Sequence, residues 1–269
     1  MRNHFFFMVL IALVAPLQVF AQGVQLDDLP IEQLTWGEFD TGRKKSAFKT
    51  WMHDVNPETI ARACSWQLAK AQWQQDLLAI RESAAHFDNC AFDEALEFIG
   101  ARLDEADAFV GKKEYGKAMF SLGQALHALQ DFYSHSNFIE LAVADSPNDS
   151  TRSQPVSFWA ATGRTALKDL VARGLVSGTV PYSRAETKRC SAGAPTHEML
   201  AKDSPTFSKH ASTVISGWGN KTYHVAALDL ADAATRQYLA YAFQRWPDLG
   251  KACGKPVGFL TLVERRKPE

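Results

Sequence analysis

In the run Leu126-His127-Ala128-Leu129-Gln130-Asp131-Phe132-Tyr133-Ser134-His135-Ser136-Asn137-Phe138-Ile139-Glu140, two histidines and an aspartate recur every four residues. On a helix of 3.6 residues per turn, such positions drift only modestly, so His127, Asp131 and His135 share one face. Two imidazoles and a carboxylate on one stripe suit a metal ion, zinc first among them. The same three could instead form a structural hydrogen-bond network. Spacing alone leaves both readings open.

The other histidines widen the first reading. A helix supplies only part of a metal shell, and neighbouring helices supply the rest. His86-Phe87-Asp88 falls where the first long helix is expected to end. His53 lies in the first helical region, His197 precedes Asp203, and His224 opens the inner face of the last helix, ahead of Asp229 and Asp232. His210, in a Ser/Lys-rich stretch, reads as a surface residue. Phe132, Phe138 and Trp218 read as core, and Asp104, Glu105 and Asp107 as a solvated helix face.

The elements that must position these residues are helical. Asn56-Pro57-Glu58 is a helix start, with Asn as cap and Pro in the first turn. That helix is expected to run to about 85, with Ile60, Cys64, Leu68, Ala71 and Leu78 inward. A second helix is expected over 92–110, where apolar residues recur at spacings of three and four up to Gly111. A third, over 114–144, carries the His/Asp stripe, and its small residues Ala118, Gly123 and Ala125 admit a close neighbour. Residues 145–155 read as a polar loop, 157–173 as a helix closed by Gly174, and 174–196 as irregular. A long helix over 221–246 is stopped by Pro247, and 259–263 could add one short strand. The fold class is therefore all-α: a multi-helix bundle with a zinc site between helices and a loop-rich C-terminal half.

The chain begins with one firm positive charge, an apolar run from Phe5 to Phe20 and a small-x-small step at Val19-Phe20-Ala21. This pattern is a secretory signal peptide over 1–21, leaving a single domain over 22–269. The apolar run is short for a spanning helix, and no later segment is apolar enough to serve as an integral membrane span. Net charge is −1, which gives no electrostatic case for nucleic acid. Four cysteines, Cys64, Cys90, Cys190 and Cys253, suggest two disulfides in an exported chain. Three pairings exist, and Cys64–Cys90 with Cys190–Cys253 is expected because it joins sequence neighbours. Thiolate zinc ligation is disfavoured, since no Cys-x-x-Cys pair occurs.

The segment Ala85-His86-Phe87-Asp88, followed by a helix and then Ala118-Met119-Phe120-Ser121-Leu122-Gly123-Gln124-Ala125-Leu126-His127-Ala128-Leu129-Gln130-Asp131, resembles the bacterial zinc-dependent phospholipases C. The fungal single-strand nucleases share that fold class. The continuation Asp131-Phe132-Tyr133-Ser134-His135-Ser136-Asn137-Phe138-Ile139-Glu140-Leu141 is closer to the Het-C-type branch. The resemblance covers about residues 84–141. It implies that His86 and His127 hold one zinc, that Asp131 bridges two, and that His135 serves a further ion, with Asn137 shaping the turn. His53, His197 and His224 are the remaining nitrogen candidates, and Asp203, Asp229 or Glu140 the carboxylate partner. Asp76 is the nearest candidate for the upstream carboxylate of those enzymes. Their N-terminal Trp ligand is not matched: the expected terminus is Gln22, and Trp36 would serve only after further trimming. Two or three zinc ions therefore stay open.

What the resemblance implies is a secreted or periplasmic phosphoric diester hydrolase. A metal-bound hydroxide would cut a phospholipid or other phosphodiester, with Asp131 setting the metal spacing and Asp88 orienting the water. Transient contact with a membrane surface would follow. The alternatives are a single-strand nuclease of the same fold, the one case with a nucleic-acid partner, and a non-catalytic Het-C-like toxin or interaction protein.

Overall fold

The computed structural model describes residues 60–181, 189–206 and 208–254. The chain divides into two compact units, Met1–Ser46 and Ala47–Glu269, and all described residues lie in the second. The expected leader, Trp36, His53, the helix start expected at Asn56-Pro57-Glu58 and the 259–263 segment fall outside the described residues.

The architecture is all-α, as expected. Nine α-helices occur among the described residues: α1 (Arg62–Leu78), α2 (Ser83–His86), α3 (Phe92–Gly111), α4 (Tyr115–His135), α5 (Phe138–Asp145), α6 (Gly163–Ala172), α7 (His197–Leu200), α8 (Tyr223–Arg245) and α9 (Pro247–Cys253). Between them run loops joined only by isolated bridges, including Ser136–Ser177 and Thr179–Thr196. No described helix is long and apolar enough to cross a membrane.

α4 is the axis. Nearly every residue from Ala118 to His135 is buried, with α1, α3 and α8 packed around it. A helix enclosed on all sides cannot keep a polar face unless its polar groups find partners. Gln130 does so by linking three helices: Gln72 Nε2 donates to Gln130 Oε1 at 3.0 Å, and Gln130 Nε2 donates to Thr235 Oγ1 at 2.9 Å. Gln75 Nε2 donates to the carbonyls of Ala85 and Gln124, at 2.8 and 3.1 Å, tying α1 to α2 and α4.

Close approach of α1 and α4 depends on Gly123. A Cβ there would lie 2.7 Å from Ala71 Cβ and 2.8 Å from the Leu68 carbonyl oxygen. The small-residue expectation for α4 is thus met at the helix that matters. Phe132, Phe138 and Trp218 are core, and Phe132 meets Phe87 and Phe158 with ring centroids 5.2 and 4.7 Å apart.

Several expectations are corrected. The first helix starts at Arg62, after a bridge between Ile60 and Gly254, and ends at Leu78 rather than 85. Leu78 is 74 % exposed and not inward. The third helix breaks at Ser136, whose φ of −111° and ψ of 168° are extended. Ser136 Oγ donates to the Phe132 carbonyl and accepts from Phe138 N–H, so both broken ends keep a partner. The helix expected over 157–173 begins only at Gly163. Pro247 ends α8 but also starts α9, where its missing N–H costs nothing.

The cysteines pair as Cys64–Cys253 and Cys90–Cys190, not as sequence neighbours. Folding brings the start of α1 against the end of α9, where Ala61 N–H donates to the Cys253 carbonyl at 2.7 Å.

Candidate metal centre

Two groups of metal-competent side chains lie side by side at the C-terminal half of α4. The inner group is Asp76, His86 and His127; the outer is Asp88, His135 and His197. Asp131 stands between them. Its Oδ2 is 2.8 Å from His86 Nδ1, 3.0 Å from His127 Nε2 and 3.9 Å from His135 Nδ1.

The inner group comes from three helices. His127 and Asp131 are one turn apart on α4, Asp76 lies on α1 and His86 ends α2. His127 Nε2 is 3.1 Å from His86 Nδ1 and 3.3 Å from Asp76 Oδ1. Donor atoms around a tetrahedral zinc with bonds of about 2.0–2.1 Å lie about 3.3 Å apart. The observed separations approach that value, and the donors are imidazole nitrogen and carboxylate oxygen. The nitrogen that His86 turns to the group is Nδ1, while its Nε2 is buried without a hydrogen-bond partner among the described residues. These residues therefore fit a zinc ion.

His86 and Asp88 are aimed into different groups by an unusual turn. Phe87, Asn89 and Cys90 have φ of 53°, 55° and 55°, a conformation that costs a non-glycine residue on the order of 1 kcal/mol or more. Surrounding contacts hold it. Asn89 Nδ2 donates to Ser83 Oγ, Asn89 Oδ1 accepts from Val180 N–H, and Cys90 N–H donates to Ser177 Oγ, each at 2.8 Å. Phe87 is buried in the aromatic cluster and Cys90 is bonded to Cys190.

The outer group depends on loops. His135 Nδ1 donates to the His86 carbonyl at 3.2 Å, which directs Nε2 to Asp203 Oδ1, also at 3.2 Å. His197 Nδ1 faces both oxygens of Asp88, at 2.9 and 3.1 Å. A carboxylate this close fixes the His197 ring and tautomer, and Asp88 is itself a member of the metal-competent group. The segment 176–179 brings His197 in: Asn137 N–H donates to the Val176 carbonyl, Gly178 N–H to the His135 carbonyl and His197 N–H to the Thr179 carbonyl. The Asn137 side chain holds the same segment: its Oδ1 accepts from Val176 N–H at 2.8 Å and its Nδ2 donates to the Gly174 carbonyl at 3.0 Å. A Cβ on Gly178 would sit 2.3 Å from His197 Cα, so only glycine lets that segment lie so close.

Charge follows this geometry. Burial alone would lower the His135 pKa, but the Asp203 and Asp131 carboxylates hold it well above 6.5. His86 is raised in the same way, by Asp131 first and then Asp76 and Asp88, against its burial. Burial would raise Asp131, yet His127 and His135 hold it well below the usual carboxylate range. Against the same burial, His135 brings Asp203 down to about 2.

Other expected members stand elsewhere. His224 Nδ1 donates to the Lys202 carbonyl at 2.6 Å, outside both groups. Asp229 is exposed and pairs with Lys221. Glu140 accepts from His210 at 2.5 Å and lies 3.3 Å from Lys202 Nζ. His210 is thus half-buried rather than a free surface residue. Asp203 faces His135 and not its neighbour Lys202. That lysine, fully buried, carried no signal in the sequence beyond its position beside Asp203.

The fold and site define a helical, disulfide-bonded domain with two adjoining His/carboxylate groups fit for metal. The VWA7 N-terminal domain family matches residues 47–156, a span containing the whole phospholipase-like stretch. The chain is similar to von Willebrand factor A domain-containing protein 7 of Rattus norvegicus and of Mus musculus, each 39 % identical over 82 residues. The Homo sapiens protein of the same name is 35 % identical over 82 residues. Each alignment covers 30 % of this chain and 9 % of the relative. No solved structure matches the chain significantly.

Proposed function

We propose that the chain is an exported, zinc-dependent phosphodiester hydrolase acting in the manner of a phospholipase C. The convergence of His86 Nδ1, His127 Nε2 and Asp131 Oδ2 within 2.8–3.1 Å of one another carries this reading. Asp76, His86, His127 and Asp131 would hold one ion. His135, His197 and Asp203 would hold a second, with Asp88 orienting His197 rather than a water. Bound zinc supplies Lewis acidity, which acidifies water and offsets charge on phosphoryl oxygens. Asp131, between the groups, keeps them in register. Asp76, His197 and Asp203 are the partly exposed members and mark the side open to substrate. The two disulfides suit an oxidising compartment.

A second reading, a non-catalytic module with structural metal, is favoured by the burial of His127 and Asp131, 0 % and 2 % exposed. Metal analysis of the mature protein, with His127→Ala and Asp131→Ala, tests both. Wild type is expected to carry zinc, and both variants to lose it. Phosphatidylcholine, single-stranded DNA and a small phosphodiester, each with and without chelator, then separate the readings. Chelator-sensitive cleavage of phosphatidylcholine is expected. A zinc-loaded protein inert on all three would leave the structural module, and a zinc-free wild type would sink both.

A further inference from the structure

Lys202 is 0 % exposed, yet it is no part of either His/Asp group. Its ammonium donates to the carbonyls of Ser136, Leu200 and Ser134 at 2.8, 3.0 and 3.3 Å, and lies 3.3 Å from Glu140 Oε1. Two of those carbonyls flank His135. They belong to the end of α4, where backbone oxygens lose their helical donors and carry partial negative charge. Residue 202 is held through its backbone as well: its N–H donates to Ser134 Oγ at 3.1 Å and its carbonyl accepts from His224 at 2.6 Å. Ser134 Oγ in turn donates to Asp203 Oδ1 at 2.5 Å.

The two residues thus fix both sides of one contact. The lysine closes the end of α4 on either side of His135 and anchors the segment bearing Asp203. The serine joins the two. We propose that Lys202, acting with Ser134, is a positioning residue that seats Asp203 against His135 and so builds the outer metal position. The inference rests on the zinc reading above. A buried ammonium kept only for fold stability would need no such link to a metal group.

The test uses the mature full chain with zinc binding followed by equilibrium dialysis and metal analysis. Lys202→Met alone would leave the Glu140 carboxylate with His210 as its remaining ionic partner, so Lys202→Met/Glu140→Gln removes both charges together. This double variant is expected to stay folded by circular dichroism and to keep one tight zinc. Its second zinc is expected to bind roughly 10- to 100-fold more weakly, the usual effect of losing a group that orients a ligand. Ser134→Ala, which buries no charge, is expected to weaken the same ion. If the double variant does not fold, Ser134→Ala decides alone. A folded variant with two zinc ions at wild-type affinity overturns the positioning role and leaves the zinc reading intact. A wild type that binds no zinc overturns that reading and this one with it.

Discussion

In the metal-free protein both ring nitrogens of His135 are engaged, Nδ1 with the His86 carbonyl and Nε2 with Asp203, and against its burial the Asp203 and Asp131 carboxylates favour the protonated ring. A metal ion on Nε2 competes with the proton there, so its binding must release that proton while Nδ1–H stays on the His86 carbonyl. The sign follows from the raised pKa values of His86 and His135. Their contribution to the metal-free fold is full below 6.5 and is lost as pH rises through the higher folded values. Asp131 and Asp203 are depressed, so their contribution is constant across the neutral range and is lost only in strong acid. The melting temperature of the chelated protein is therefore expected to drop as pH rises above 6.5 through the raised folded values, while the increment given by zinc grows over the same interval. Melting curves with chelator and with zinc check this, and an increment that shrinks with rising pH would count against imidazole ligation. The stripe of His127, Asp131 and His135 was legible because helical periodicity is local. His197 and Asp203 stood in the sequence only as candidates beside His224, Asp229 and Glu140, because loop hydrogen bonds over 176–179 and the Lys202 anchor bring them in from distant sequence.

At the scale of elements, two glycines separate packing from site geometry. Gly123→Ala would press α1 and α4 apart and is expected to cost about 1–3 kcal/mol, read as a lower Tm in chemical or thermal unfolding. Because Asp76 rides on α1 and His127 on α4, zinc affinity should fall as well. Gly178→Ala would instead displace His197, and is expected to weaken one zinc while the other is kept. Loss of both ions together in a folded Gly178→Ala protein would show that the groups are not separable. Helix content was read well from apolar periodicity over 92–110. The break at Ser136 was invisible, since its extended backbone is held by a bridge to Ser177 and by Lys202, neither of which a local pattern reports.

For the molecule as a whole, the disulfides act over long stretches, with sequence separations of 189 and 100 residues. In the chain-entropy account each stabilises by about 5 kcal/mol. Cys64→Ser/Cys253→Ser is expected to lower Tm strongly while leaving zinc affinity near wild type at low temperature. Cys90→Ser/Cys190→Ser removes a clamp four residues from His86 and should reduce both. Pairing was not legible because nearness in sequence says nothing about which helix ends meet in space. Here they meet at one spot: Ile60 bridges Gly254, and Ala61 bonds Cys253. One disulfide and two backbone contacts thus stitch the start of α1 to the end of α9, so a reductant would loosen both helix ends at once.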